Sequence, residues 1–488
     1  MTISFNSIPN IIRTPGTFIE IDNSRALSGL SNINQKMLLI GQRLATGNTA
    51  AGVLTLVVSA EDADRQFGLG SMLARMCKAA IANNGYTEMW AIALDDDDAG
   101  VPATGTLTIT GPATAAGTLN LYIGGERVRI TMASGDAAAD VATALAAAIN
   151  AETELPVTAA AVDAVITLTA RHKGVVGNYI DLRLNYNWDE KTPAGIAVAI
   201  TAMTNGDGNP EVADAIAAMP DDQFHYIAMP YTDTTNLSDM EDELDERWGP
   251  MEQMAGHCFT AASGTTGTLQ TLGATRNNCH VTILGTGKSP TALDVWVGAL
   301  VGVAAYYYNI DPARPLQTLV LSGVLAPTLA DRFSQSERNT LLHGGISTFI
   351  VDDGGDCMVE RLITTYQTNA LGVEDPSYLD VNTIMTLIYI RTQVRARISN
   401  VYPRHKLADD DARVGAGQAV VRPKDLRVEI IALFKEMETA GIVENLEQFK
   451  DDLVVERDAS DKNRVNALMP PDLVGQFRVF AGQVQFIL

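Results

Sequence analysis

Positive charge is in short supply in this 488-residue chain: 35 Lys and Arg stand against 58 Asp and Glu, a formal charge of −23. A protein that coats nucleic acid needs a cationic footprint, so the balance argues against that role. Cysteine is scarce too. Cys77, Cys258, Cys279 and Cys357 are scattered and do not outline a disulfide framework, which leaves buried free thiols in a reducing cytoplasm as the expectation. The first residues, Met1-Thr-Ile-Ser-Phe-Asn6, carry no basic n-region and no apolar h-region, so no secretory signal is expected. The longest apolar stretch, residues 293–308, falls short of the ~20 residues of a membrane span and contains Asp294, which predicts a buried helix. No internal repeat of fixed period is visible. These absences describe a soluble protein made inside a cell.

What is present suffices for about three domains on length alone. Residues 1–25 hold Pro9, Pro15 and Gly16, then the β-branched run Thr17-Phe-Ile-Glu-Ile-Asp22. That pattern predicts an arm with one short strand. Strands are expected at 36–40, 54–58 and 88–94, with one helix over 62–83, which is an α/β pattern. Asp95-Asp-Asp-Asp98 followed by Gly100 and Pro102 marks a break. Short β-type runs then follow at 105–110, 118–123 and 126–131, with a hairpin turn at Gly124-Gly125, a helix near 137–150 and two further runs to 169. Residues 99–186 are thus expected to form a β-rich module inserted in an α/β domain made of 26–98 and 187–375. The α/β pattern resumes with strands at 225–229, 279–284 and 345–351 and helices over 233–253 and 291–308.

The last third reads as more helical. Val381, Ile384, Met385 and Ile388 share a helix face, and Pro423 and Gly441 bracket a second helix. Residues 376–476 are expected to form a carboxyl-terminal domain and 477–488 a strand arm. In that arm Phe477, Val479 and Ala481 share one parity and Val484, Phe486 and Leu488 the other, so a bulge or bend is expected at Gly482. The fold class is mixed α/β and α+β, multidomain.

Motifs that imitate chemistry fail on spacing. Gly285-Thr-Gly287-Lys288-Ser289 lacks the Gly that a phosphate loop needs at 282, where Thr stands, and Pro290 follows the Ser. His257-Cys258 and Cys279-His280 offer four zinc-type donors, but adjacent side chains on a strand point to opposite faces, and structural zinc ligands are normally spaced by two to four residues. The carboxylate runs at 95–98 and 409–411 lack the alternation of a calcium loop. Neither an esterase elbow nor a metalloprotease helix motif is found. No catalytic residue, cofactor or metal site is expected. One local feature opposes the overall charge: Arg391, Arg395, Arg397, Arg404 and Lys406 form a cationic stretch with no acid among them, a candidate patch for an acidic face on another copy or another protein.

Longer stretches resemble a known family. Asp311-Pro-Ala-Arg-Pro-Leu-Gln-Thr-Leu-Val-Leu-Ser-Gly-Val-Leu-Ala-Pro327 and its continuation from Asp331 to Ser347 are similar to the central signature of phage tail sheath proteins, closest to the Mu-like branch. So are Tyr402-Pro-Arg-His-Lys-Leu-Ala-Asp-Asp-Asp411, residues 415–421, Gly441-Ile-Val-Glu-Asn445 and residues 464–479. The resemblance covers the amino-terminal arm and 200–488, and the β-rich module looks like the insertion of Mu-type sheaths. It implies a sheath core domain, an outer inserted module and two extended arms. It also implies a structural subunit, not an enzyme, stacked in six-fold rings around a tail tube and contracting to drive genome ejection. The partners implied are other copies, the tail tube protein, and baseplate and tail terminator proteins, with no direct nucleic acid and no membrane insertion. The location implied is the virion tail, the subunit being a late protein assembled in the host cytoplasm. Strand exchange between copies is expected at Phe18, Ile19 and Ile21 in one arm and Phe477, Val479, Val484 and Phe486 in the other. Alternatives are the sheath of a bacteriocin or secretion-type machine and, lower, a soluble α/β enzyme.

Overall fold

The computed structural model describes Thr17, Leu30, residues 33–415 and residues 417–487. Phe18, Ile19 and Ile21 lie outside the described residues. Contacts divide the chain into two compact units, Gln35–Ile384 and a second that runs from Met385 to the carboxyl end together with residues 1–34.

The first unit opens with β1 (Lys36–Gln42), β2 (Leu54–Val57), α1 (Ala60–Phe67), α2 (Met72–Asn83) and β3 (Glu88–Leu94). The single helix expected over 62–83 is two. Gly68 and Gly70 adopt φ of 91° and 78°, and Ser59 and Ser71 cap the two starts by accepting from the amides of Asp62 and Ala74.

Seven strands follow in the inserted region: β4 (Pro102–Thr110), β5 (Gly117–Ile123), β6 (Glu126–Met132), then, after α3 (Ala138–Ala151), β7 (Val157–Val162), β8 (Val165–Lys173), β9 (Leu182–Leu184) and β10 (Ala197–Thr204). They build a four-stranded sheet, β10-β4-β8-β7, and a three-stranded one, β6-β5-β9. Ile123 pairs with Glu126 across the two-glycine turn, with φ of 59° and 93° at Gly124 and Gly125. The sheets and α3 enclose a core of their own that includes Leu107, Leu121, Leu145, Ile149 and Leu168. The expected end of this region at 186 is too early. β10 lies along β4 from Ala197↔Thr110 to Thr204↔Thr104, and the chain re-enters where Val101 and Asp207 exchange hydrogen bonds of 2.8 and 3.0 Å.

The region is fastened to the rest of its unit. His172 accepts from the Met72 amide through Nε2 at 3.0 Å and meets Asp96 through Nδ1 at 3.0 Å. Gln42 donates to the Lys173 carbonyl, the Ala292 amide to the Gly124 carbonyl, and the Tyr186 hydroxyl to the Ala326 carbonyl.

The chain then forms α4 (Val212–Ala217), β11 (Tyr226–Ala228), α5 (Thr234–Trp248), β12 (His257–Ser263), α6 (Thr266–Ala274), β13 (Val281–Gly287), α7 (Leu293–Ile310), α8 (Gln335–His343), β14 (Ile346–Val351) and β15 (Cys357–Arg361). The main sheet runs β15-β14-β13-β12-β11-β1-β3-β2. Its six central strands are parallel, and β15 and β2 close the ends antiparallel. Met37–Ile40 and Val281–Leu284 are buried, the first wholly apolar and the second interrupted only by Thr282, the texture of strands covered on both faces. α7 is long and apolar enough to cross a membrane by length and composition, yet it is mostly buried as a core helix. Gly298 and Gly302 make that possible. A Cβ there would meet the carbonyl oxygens of Met76 and Ala80 at 2.3 and 2.7 Å, so α7 and α2 pack backbone against backbone.

α9 (Val381–Val401) begins in the first unit and continues into the second, which adds β16 (Lys406–Leu407), β17 (Val420–Val421), α10 (Pro423–Thr439), β18 (Val443–Glu444), α11 (Leu446–Asp452), β19 (Val454–Arg457), β20 (Val465–Leu468) and β21 (Asp472–Leu473). Pro423 at the first turn and Gly441, with φ of 74°, bracket α10 as the sequence indicates. Its buried stripe of Ile430, Leu433, Phe434 and Met437 meets α11, where Phe449 stacks on Phe434 at 4.0 Å.

Candidate functional site

Among the described residues, the second unit ends in backbone that belongs to no helix or strand. The Val474 amide donates to the Ile442 carbonyl at 3.3 Å; from there to Ile487 no residue lies in a helix or strand. On this stretch the large apolar side chains from Phe477 on are in water. Phe477 is 73% exposed, Val479 81%, Val484 91% and Phe486 79%. The expected strand is therefore absent within the single chain, as a strand with no neighbour must be, because an isolated strand leaves every ladder hydrogen bond unmade. Phe480 and Ile487, at 82% and 100%, are as exposed as the four residues singled out from sequence. Parity concealed them, since an alternating strand assigns Phe480 and Ile487 to the faces opposite their chosen neighbours.

The same unit carries a hairpin with open edges. Among the described residues β19 and β20 pair with each other alone, from Val454↔Leu468 to Arg457↔Val465. Val454 and Leu468, paired at its open end, are 47% and 64% exposed. Its loop is tied by Asp458, which accepts from the Ser460 hydroxyl and amide, the Asp461 amide and the Asn466 side chain. These bonds, that of Ser460 foremost, hold the Asp458 carboxyl far below the usual range.

One member of the cationic stretch is not at the surface. Arg397 is buried and ion-paired to Glu429 at 2.9 Å and to Glu436, both on α10. Burial lowers its pKa, and the bonds to the two glutamates more than reverse that. It is an internal strut, a correction to the reading of five free cations. Arg391 is half-buried and Arg395 exposed; the two lie one turn apart on α9, and burial, with the Arg395 charge, depresses Arg391. Arg404 is exposed in the following loop and Lys406 on β16, where its Nζ donates to Gln418 at 3.3 Å.

The imitation motifs have structural work. Lys288 pairs with Asp331 at 2.8 Å, and the Ser289 hydroxyl donates to the Leu325 carbonyl and accepts from the Trp296 indole. Asp95 pairs with Arg43, Asp96 binds Gln42 and His172, Asp409 pairs with Arg457, and Asp410 accepts from the Lys424 amide. His257, fully buried on β12, meets the Thr282 hydroxyl at 2.7 Å, and burial together with His280 keeps it neutral.

An exposed, strand-length tail rich in large apolar side chains and outside any helix or strand suits an assembling subunit. A model of the phage tail sheath protein central domain matches residues 205–365, and one of the phage tail sheath C-terminal domain matches 373–487. A Mu-like prophage tail sheath protein of Haemophilus influenzae is 45% identical over 488 residues, all of both chains. The solved sheath tail protein of Desulfitobacterium hafniense aligns over 95% of this chain and 97% of its own, with TM-score 0.51 and 14% identity, a likeness of fold. That of Listeria innocua aligns over 92% and 94%, with TM-score 0.49 and 12% identity. The chain belongs to the phage tail sheath protein family, on its Mu-like branch. Membership makes it a structural component of a contractile tail that assembles with copies of itself.

Proposed function

We propose that the chain polymerises as stacked six-fold rings around a tail tube and shortens on a signal from the baseplate, driving the tube through the host envelope. Polymerisation takes place in the host cytoplasm, and tube, baseplate and terminator proteins are its partners. No catalytic step is required, since the energy resides in alternative packings of subunit bodies. The observation that carries the reading is the arm after Val474, whose described residues lie in no helix or strand and whose Phe477, Val479, Phe480, Val484, Phe486 and Ile487 are exposed. Such a segment gains main-chain hydrogen bonds by adding to a neighbour's sheet edge. β19–β20 offers that edge, with Val454 and Leu468 ready to cover Phe477, Val479, Phe480, Val484 and Phe486. The segment around Phe18, Ile19 and Ile21 is the second donor. Arg391, Arg395, Arg404 and Lys406 form the contact patch for an acidic surface in the assembly. The inserted module faces outward.

Negative-stain microscopy of the purified protein tests this. Long hollow tubes with a helical repeat are expected from the whole chain and none from a chain ending at Phe477. Tubes of normal length from the shortened chain would refute the role of the arm.

A further inference from the structure

Strand exchange makes no use of the chain's thiols and imidazoles, and one group of them converges. Asp245, Cys279 and His280 each offer a donor atom, and the three atoms lie within 4.8 Å of one another. Asp245 sits in the last turn of α5; Cys279 and His280 form the turn that leads into β13. Alternation along a strand was the physical ground against Cys279 and His280 as joint ligands. β13 starts only at Val281, so that ground does not apply to them.

The geometry suits a shared ion better than a direct bond. His280 Nε2 stands 3.7 Å from Asp245 Oδ1. That is too long for a hydrogen bond, while two atoms each about 2 Å from one zinc stand about 3–4 Å apart. The Cys279 sulfur lies within 4.8 Å of both other donor atoms. The donors are held in place. His280 is 1% exposed, and its ring packs against Trp248 with centroids 4.9 Å apart. The Asn278 side chain accepts from the His280 amide at 2.7 Å and donates to both Asp245 oxygens at 3.1 and 3.2 Å. One residue thus orients two ligands, as outer-shell partners do in metal sites. The approach from solvent runs past Asp245, whose side chain is 57% exposed, and Arg276, the cation at hand, is bonded to Glu241 at 3.3 Å.

We propose that Asp245, Cys279 and His280 bind a divalent cation of the zinc class, with solvent water as the fourth ligand. A thiolate and an imidazole select a borderline-soft ion over magnesium or calcium. Binding exchanges the Cys279 sulfhydryl proton, released to solvent, for a sulfur–metal bond. The ion ties the end of α5 to the entrance of β13 and stabilises the folded chain by mass action.

The test is a cadmium titration of the full-length protein after treatment with a chelator, read at the sulfur-to-cadmium charge-transfer band in the ultraviolet. The band is expected to saturate at one equivalent, to be displaced by zinc, and to vanish in Cys279→Ser. Asp245→Asn, a change at the exposed rim, is expected to weaken binding by about tenfold or more. It decides the matter should Cys279→Ser not fold. Absence of a band in the unaltered protein at several equivalents overturns the proposal. So does a band that survives Cys279→Ser, or an affinity unchanged by Asp245→Asn.

Discussion

Arg397 shows how far a residue's chemistry depends on what folds onto it. In the linear chain it is one of five cations without a nearby acid; in the fold Glu429 and Glu436, 32 and 39 residues later, consume it. Sequence separation of that size hides an ion pair from any local reading. Arg397→Ala is expected to destabilise the carboxyl-terminal unit by about 3–5 kcal/mol, because it leaves two carboxylates facing each other without their cation. Denaturant melts checked by circular dichroism measure this, and Arg404→Ala, in solvent, is expected to cost under about 0.5 kcal/mol. His225 makes a pH-dependent prediction. It precedes β11, is buried, and its Nδ1 accepts from the Lys36 amide at 3.4 Å. Burial, helped by the Lys36 charge, lowers its pKa to about 4. The folded state therefore keeps it neutral while the unfolded chain protonates it below its ordinary value of about 6.5. The stability it contributes is complete above that value and is lost as pH falls from about 6.5 to about 4, some ~3 kcal/mol in all. Unfolding free energies at stepped pH should show that loss in the unaltered protein, and a shallower one in His225→Asn.

Among elements, strands were legible where hydrophobic runs and turn residues agreed. Glu88–Leu94 and the Gly124–Gly125 hairpin stand where composition placed them. The break between α1 and α2 was hidden because Gly68 and Gly70 sit inside an otherwise helical pattern, and only their positive φ ends the first helix. β10 was missed because its half-exposed Ala and Thr run resembles a linker until β4 pairs with it. The arm poses the reverse case: its composition says strand, and the single chain gives it no partner. Removing residues 478–488 is expected to leave the melting temperature within about 1 °C, since residues 479–487 are exposed. A peptide of residues 477–488, added in excess, is expected to slow tube growth by light scattering through occupation of the same edge. Unimpeded growth would count against β-addition as the link.

At the scale of the molecule, charge and topology dominate. Copies that each carry −23 repel, so raising salt from about 0.1 to 1 M, which shortens the screening length from about 10 to about 3 Å, is expected to speed polymerisation. Main-chain pairing itself is insensitive to screening. The inserted region can be tested as a unit because Val101 and Asp207 meet. Excision between those two residues, joined by a short linker, is expected to leave a soluble chain that forms tubes, as an outward placement requires. Cutting at 99 and 186 strands β10 without β4 and is expected to give insoluble protein.

By itself the sequence determined the alternation of strands and helices, the bracketing of α10, the absence of intact catalytic motifs and the apolar character of the terminal arm, because each is written in neighbouring residues. Tertiary structure alone decided the order of the eight-stranded sheet, the true extent of the insertion, the burial of Arg397 and the convergence of Asp245 with Cys279 and His280. Those depend on pairings between residues tens to hundreds of positions apart, where no local pattern carries the information.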